Sequence, residues 1–197
     1  MLIPFSVTLK VIKVLEECDI NYFIGGSLGS SLYGIPRATL DADLVSQLDR
    51  SKVEQLVEKL KDEFYIDADM IYDAIQHESC FNVIHLSTMF KVDIFVLKND
   101  PYAKEEFSRR KPEIIAETGQ IMQIATPEDI ILTKLLWYKD GGCVASRQFL
   151  DAKGVLKVQR ERLDHDYLKH WAKTLGVDDW LEKLYLDVHK KSTEAPF

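Results

Sequence analysis

Two aspartates in the stretch Leu40–Val45 have the spacing of carboxylates that share one face of a β-strand. Side chains alternate between the faces of a strand, so Asp41 and Asp43 point one way and the apolar residues around them point the other way. Like charges this close are costly unless a cation lies between them, and oxygen ligands suit Mg²⁺. The pattern predicts a metal site, although an isolated Asp-x-Asp pair also fits a strand that simply faces solvent.

A third carboxylate, Asp93, interrupts the apolar run Lys91–Val96, in which β-branched residues predict another strand. Alternation places Asp93 on the face opposite Val92 and Ile94. If this strand neighbours the first, at a spacing of about 4.8 Å, Asp93 completes a cluster of three carboxylates. The alternative is an aspartate on an edge strand that faces water.

Gly25, Gly26 and Ser27 stand between a predicted strand and a predicted helix. Glycines at such a turn let backbone N–H groups approach a phosphate, and the N-terminus of the helix favours negative charge. The Ser27 hydroxyl adds a further donor. No Gly-Lys-Ser/Thr follows, so this is not a Walker A loop, and the three residues alone are also compatible with an ordinary tight turn.

Two cations are candidates for contacts with phosphate. In a helix that begins at Pro127, Lys134 shares a side with apolar residues, where a lysine either extends to water or is held for a purpose. Arg37 lies four residues before Asp41 and can either neutralise phosphate or pair with the carboxylates. Arg147 and Asp151 have the spacing of a pair on a helix surface, which predicts a structural role.

These motifs together resemble the DNA polymerase β nucleotidyltransferase superfamily. Its pattern is a Gly-Ser turn, then Asp-x-Asp on a strand, then a lone carboxylate on a later strand. The stretches Gly34–Asp43 and Thr126–Lys134 are specifically similar to a small prokaryotic branch related to the AbiEii-type nucleotidyltransferases. The resemblance covers roughly residues 10–155.

The resemblance implies an enzyme that moves a nucleoside monophosphate from an NTP, such as ATP, to a hydroxyl acceptor and releases pyrophosphate. Asp41, Asp43 and Asp93 would hold Mg²⁺ or Mn²⁺, and Asp93 would help to deprotonate the acceptor. Gly25, Gly26 and Ser27 would hold the outer phosphates, with Arg37 and Lys134 as further nucleotide-binding residues. The acceptor stays open between a small molecule, tRNA and a protein.

Two other functions compete with this one. The same fold can serve as a catalytically silent nucleotide-binding module or as one partner of a toxin–antitoxin pair, because fold does not fix function. Alternatively, the helical region from residue 126 to 190 is itself an interaction surface for a partner protein.

Periodicity predicts an α/β (α+β) fold, with a small mixed, twisted sheet flanked by helices and a helical C-terminal region. The pattern becomes helical almost throughout at Thr126, where a Thr cap, a Pro and two acids start a helix. We therefore expect a catalytic core over residues 1–125, a helical region over residues 126–190 and a frayed tail over residues 191–197.

Composition restricts the class of protein. The 197 residues are 46% hydrophobic and carry a net charge of −7, so there is no overall attraction for a polyanion. No apolar stretch approaches the length of about 18 residues that a membrane span needs. The N-terminus lacks the features of a signal peptide, and three scattered cysteines indicate reduced thiols, so we expect a cytoplasmic location.

Overall fold

The computed structural model describes residues 3–115, 119–144 and 146–192. These residues form nine α-helices, two short 3-10 helices (Arg50–Lys52 and Arg160–Arg162) and seven strands. The helices are α1 (Ile3–Glu17), α2 (Gly26–Tyr33), α3 (Val53–Leu60), α4 (Ala68–Gln76), α5 (Pro101–Arg109), α6 (Pro127–Asp140), α7 (Ser146–Gln159), α8 (His165–Leu175) and α9 (Asp178–Ser192). The strands are β1 (Tyr22–Ile24), β2 (Asp41–Ser46), β3 (Phe64–Tyr65), β4 (Cys80–His85), β5 (Lys91–Val96), β6 (Lys111–Ile115) and β7 (Gln120–Ile124).

The strands form one sheet in the order β3-β4-β5-β2-β1-β7-β6. Strand β2 runs parallel to β5, and β1 runs parallel to β7, while the other neighbouring pairs are antiparallel. The hairpin expected from the two apolar runs after residue 80 is confirmed as β4 and β5. The mixed sheet and the helical C-terminal region confirm the predicted α/β fold class.

The chain divides into two compact units, the first made of Met1–Leu28 with Ala38–Ala125 and the second of Gly29–Arg37 with Thr126–Phe197. The whole sheet belongs to the first unit. Alternation along β2 buries Ala42 and Leu44 completely in its core, where they share the interior with Leu15 of α1 and Ile94 of β5. Burial of these apolar side chains is what fixes the opposite, polar face of β2 and β5.

The second unit is helical around α6 and α7, which pack against each other. The Thr126 side chain accepts a hydrogen bond from the Asp129 backbone N–H and so caps the start of α6, as its sequence predicts. At the other end of α6, the Tyr138 ring lies 5.3 Å from that of Phe149 and 5.1 Å from that of Trp180.

No helix among the described residues is long and apolar enough to cross a membrane. Helix α9 continues through Ser192, and the rest of the predicted tail, residues 193–197, lies outside the described residues.

Candidate active site

The two carboxylate-bearing strands predicted from the sequence are direct neighbours. In the parallel pair of β2 and β5, Asp43 lies opposite Asp93 and Asp41 lies opposite Lys91. On the other side of β5, Asn82 of β4 lies opposite Asp93. Residues that are paired across a sheet share a face, so the three aspartates, Lys91 and Asn82 all project from one side of the sheet. We call this set the carboxylate row.

The glycine turn is built against Asp43. The Gly25 backbone N–H donates to the Asp43 carbonyl at 3.0 Å, and the Ser27 backbone N–H donates to Asp43 Oδ2 at 3.3 Å. Gly26 has a φ of +51°, and a Cβ atom there would lie 1.7 Å from Asp43 Oδ2. Only glycine permits both this backbone conformation and this approach of the Asp43 carboxylate to the start of α2.

Each of the other two carboxylates has its own protein partners. The Thr39 hydroxyl donates to Asp41 Oδ1 at 2.8 Å. The Lys91 ammonium lies 2.6 Å from Asp93 Oδ2, and the Asn82 amide donates to Asp93 Oδ1. Sequence reasoning missed Lys91 and Asn82. Alternation does place Lys91 on the face of Asp93, two residues away, but the position of Asn82 depends on strand pairing.

The negative charges of the row change the pKa values of neighbouring groups. The hydrogen bond to Asp93 raises the pKa of Lys91 above its usual value; burial opposes this effect, and the charges of Asp93, Asp41 and Asp43 add to it. Burial raises the pKa of the Cys80 thiol to about 12, with the charges of Asp93 and Asp43 contributing. Burial and these charges both favour the protonated thiol over the thiolate, which is the nucleophilic form.

The residues of the row fit a divalent cation in kind and in register. The donors are all carboxylate oxygens, the set that Mg²⁺ prefers, and Asp43 stands directly opposite Asp93. In this structure, no group of three or more His, Cys, Asp or Glu within the described ranges is gathered closely enough to hold a metal ion. The contacts with Thr39, Lys91 and Asn82 explain this separation, because Thr39 holds the Asp41 carboxylate while Lys91 and Asn82 hold that of Asp93.

The two cations predicted to bind nucleotide lie in the second unit, and both contact Asp151. Arg37 makes a bidentate pair with Asp151, from Nε to Oδ1 and from Nη2 to Oδ2, each at 2.8 Å. The Lys134 ammonium lies 3.1 Å from Asp151 Oδ2 and donates to Gln148 Oε1 at 2.8 Å. Lys134 is only 1% exposed, so it does not extend to water.

Asp151 was expected to pair with Arg147 on the helix surface, and this expectation was wrong. The Asp151 side chain is only 7% exposed and binds Arg37 and Lys134 instead. Burial alone would raise the pKa of Asp151, but the hydrogen bonds and charges of Arg37 and Lys134 outweigh it and lower the pKa below its usual value. The i,i+4 spacing indicated a partner but could not reveal one more than 100 residues away in sequence.

Comparison with known proteins identifies the fold. Neither a family model nor a curated protein matches the sequence. Among solved structures, the antibiotic-resistance factor ANT(2'')-Ia in solution is similar over 96% of this chain and 97% of its own, with a TM-score of 0.54 and 14% identity. The chain has a nucleotidyltransferase fold. The same factor in complex with adenylyl-2''-tobramycin gives a TM-score of 0.50 at 14% identity, over 95% of this chain and 97% of its own.

A second antibiotic-modifying protein has the same fold. The lincosamide antibiotic adenylyltransferase LnuA, with lincomycin bound, is similar over 77% of this chain and 95% of its own, with a TM-score of 0.50 and 11% identity. At these identities the likeness establishes the fold and not the reaction. The specific resemblance to the AbiEii-type branch stays a prediction from the sequence.

Proposed function

We propose that this protein is a metal-dependent nucleotidyltransferase, which transfers a nucleoside monophosphate from an NTP to a hydroxyl acceptor. The acceptor oxygen attacks the α-phosphorus, and a new P–O bond forms to the acceptor. The bond from the α-phosphorus to the oxygen that bridges to the β-phosphate breaks, and pyrophosphate leaves. The proton of the acceptor hydroxyl passes to the Asp93 carboxylate, which acts as general base.

One observation carries this proposal. Asp43 and Asp93 are paired across two parallel strands, and Gly26 brings the start of α2 against the same Asp43 carboxylate. Carboxylates and a helix N-terminus therefore meet at one place in the first unit. A cation bound by the carboxylates and phosphates bound by backbone N–H groups would complement each other there.

The chain's own residues have distinct roles in this proposal. The Gly26 backbone N–H and the Ser27 hydroxyl bind phosphate oxygens, and the helix N-terminus favours their charge. Asp41, Asp43 and Asp93 would hold Mg²⁺ or Mn²⁺. When bound, the metal would neutralise phosphate charge and orient the reacting groups. Binding of nucleotide by Arg37 and Lys134 remains a further proposal, in which Asp151 holds both cations in place.

The fold neighbours favour a small-molecule acceptor and ATP. One of them has lincomycin bound and is a lincosamide antibiotic adenylyltransferase, and the other was captured with adenylyl-2''-tobramycin. A net charge of −7 disfavours a long nucleic acid as acceptor, while tRNA and protein hydroxyls stay open. We also propose a cytoplasmic location, which the three free cysteines support.

A catalytically silent nucleotide-binding or toxin–antitoxin partner module is the second candidate. It is favoured by the engagement of Asp93 with Lys91 and Asn82 in place of a gathered ligand set. The two candidates differ in turnover, since a silent module binds NTP without releasing pyrophosphate in the presence of any acceptor.

The test is titration of ATP into the protein in Mg²⁺ and in EDTA, together with pyrophosphate release in the presence of small hydroxylated acceptors. We expect Mg²⁺ to strengthen binding at least about tenfold, which corresponds to about 1.4 kcal/mol. Asp43→Asn should remove most of this gain, because it removes one charge from the row without changing side-chain size. Equal affinity in Mg²⁺ and EDTA would argue against the metal site, and binding without turnover would favour the silent module.

A further inference from the structure

Lys91 is the one residue of the carboxylate row that carries a positive charge. Its ammonium lies 2.6 Å from Asp93 Oδ2, and its backbone is paired with Asp41 on the neighbouring strand. Its side chain is 41% exposed, whereas that of Asp93 is 12% exposed. Lys91 thus pairs with the most buried carboxylate of the row from a position that still reaches solvent.

The charges of the row favour a cation beside it. Three carboxylates on one face repel one another, and a single ammonium offsets only part of their charge. A divalent cation would offset more, and it would need the Asp93 oxygen that Lys91 now occupies. A lysine can give up its place to another cation, because it carries a point charge on a flexible stem. Opening a partly exposed ion pair of this kind costs little free energy.

We propose that Lys91 is the resident counter-ion of the carboxylate row and competes with a divalent metal ion for Asp93. The inference rests on the proposed function, since it takes Asp93 as a metal ligand. Lys91 acts here through Asp93 as a positioning residue. It stabilises the metal-free fold and sets the metal concentration at which Asp93 becomes available.

Mn²⁺ alone is the probe for this competition, followed by electron paramagnetic resonance of the free ion and by thermal unfolding, with no nucleotide present. Lys91→Met removes the charge and keeps the apolar stem. Lys98→Met is the matched control, because it makes the same change at an exposed position beyond the end of β5. Lys91→Arg keeps the charge, and Lys91→Gln provides a second neutral variant if Lys91→Met does not fold.

We expect Lys91→Met and Lys91→Gln to bind Mn²⁺ about 5- to 30-fold more tightly than the wild type, because a competing charge is gone. Without metal, their Tm should lie about 2–4 °C below that of Lys98→Met, and Mn²⁺ should raise it by more than it raises that of the wild type. Lys91→Arg should resemble the wild type in both measurements.

Unchanged or weaker Mn²⁺ binding by both neutral variants would overturn the competition. If the wild type still bound Mn²⁺ more tightly than Asp43→Asn does, the proposed metal site would survive that result. If the wild type, the Lys91 variants and Asp43→Asn all bound Mn²⁺ equally weakly, the metal site itself would fail, and the competition with it.

Discussion

Gly26 is required for two reasons, its backbone conformation and its close contact with Asp43, and a pair of variants can measure the two effects separately. Its φ of +51° disfavours any side chain, and the place of its Cβ is taken by the Asp43 carboxylate. Gly119 has a φ of +69° in the same unit, but a Cβ atom there would meet nothing within 4 Å. Gly119→Ala therefore measures the backbone effect alone.

We expect Gly26→Ala to lower the free energy of unfolding by about 2–5 kcal/mol, against about 1–2 kcal/mol for Gly119→Ala. The Asp43 Cβ would lie 2.6 Å from the new methyl group, so rotation of the carboxylate cannot relieve the overlap. Urea unfolding of both variants measures the difference. Equal losses would mean that the close approach of α2 to Asp43 contributes little.

Lys134 is the second residue whose substitution is informative. Viewed from sequence, a methionine at this position keeps length and apolar contact, so Lys134→Met should preserve the fold. The structure changes this expectation, because the buried ammonium binds Asp151 and Gln148. Its removal leaves the Asp151 carboxylate buried with one cation fewer.

We therefore expect Lys134→Met to cost about 3 kcal/mol of stability at neutral pH, while Lys157→Met, at an exposed site on α7, changes stability by about 0.5 kcal/mol or less. The pKa of Asp151 is lowered in the folded chain, so the stability from its pairs is present above the ordinary aspartate pKa of about 3.9 and is lost as pH falls through the folded value. The gap between wild type and Lys134→Met should shrink in acid. A gap that stayed constant with pH would assign the loss to packing.

At the scale of elements, the sequence predicts the strands that carry apolar residues in a run or in alternation, and misses strands that are very short or mostly exposed. The alternation of polar and apolar residues in β2 predicts the strand, and its side chains are buried in the same alternation. Strand β6 is exposed at most positions and contains Pro112, and β3 has only two residues, so neither has a periodic signal. Pairing across the sheet is a long-range property, so the sequence could place Asp43 and Asp93 on suitable faces but could not make them neighbours.

The segment after α2 also makes a long-range contact that the sequence does not predict, and substitutions can test it. From the sequence, Gly34 is typical of a loop, and Gly154 is a weak helix former. In the structure, both glycines lie where this segment packs closely against α7 in the second unit. A Cβ on Gly34 would lie 2.8 Å from the Val155 backbone nitrogen and 2.9 Å from the Gly154 carbonyl carbon. A Cβ on Gly154 would lie 3.3 Å or more from its nearest neighbours, at Ile35.

We expect Gly34→Ala to lower stability by about 1–3 kcal/mol, because both neighbours are backbone atoms that cannot rotate away. Gly154→Ala should change stability by about 1 kcal/mol or less, since the better helix propensity of alanine offsets the tighter contact with Ile35. Thermal unfolding of the two variants measures this contrast. The opposite order would show that the approach of the segment to α7 is looser than the structure has it.

At the scale of the whole molecule, the path of the chain decides which fragments can fold. The chain passes from the first unit to the second after Leu28, returns after Arg37 and leaves again after Ala125. The short segment 29–37 has its contacts in the second unit. Gln159 donates to the Tyr33 carbonyl at 2.9 Å, and Arg37 pairs with Asp151.

A fragment of residues 1–125 contains the whole carboxylate row, but it leaves segment 29–37 without its partners in the second unit. That segment includes most of α2, whose first turn holds the Asp43 carboxylate. We therefore expect the fragment to unfold at a Tm at least about 10 °C below that of the full chain, or without a cooperative transition, because several kcal/mol of contacts are lost together. Circular dichroism measures this directly, since all three Trp lie beyond residue 125 and fluorescence is uninformative.

Adding residues 126–197 as a separate chain should restore a cooperative transition, because it returns α7 to the segment. A fragment 1–125 that melted by itself at the Tm of the full chain would show that the contacts of segment 29–37 with the rest of the second unit contribute nothing to the stability of the fragment. The expected loss also bears on function. Inactivity of this fragment could not separate a role of the helical region in partner binding from damage to α2 and Asp43, whereas Asp43→Asn in the full chain changes the site and leaves the segment in place.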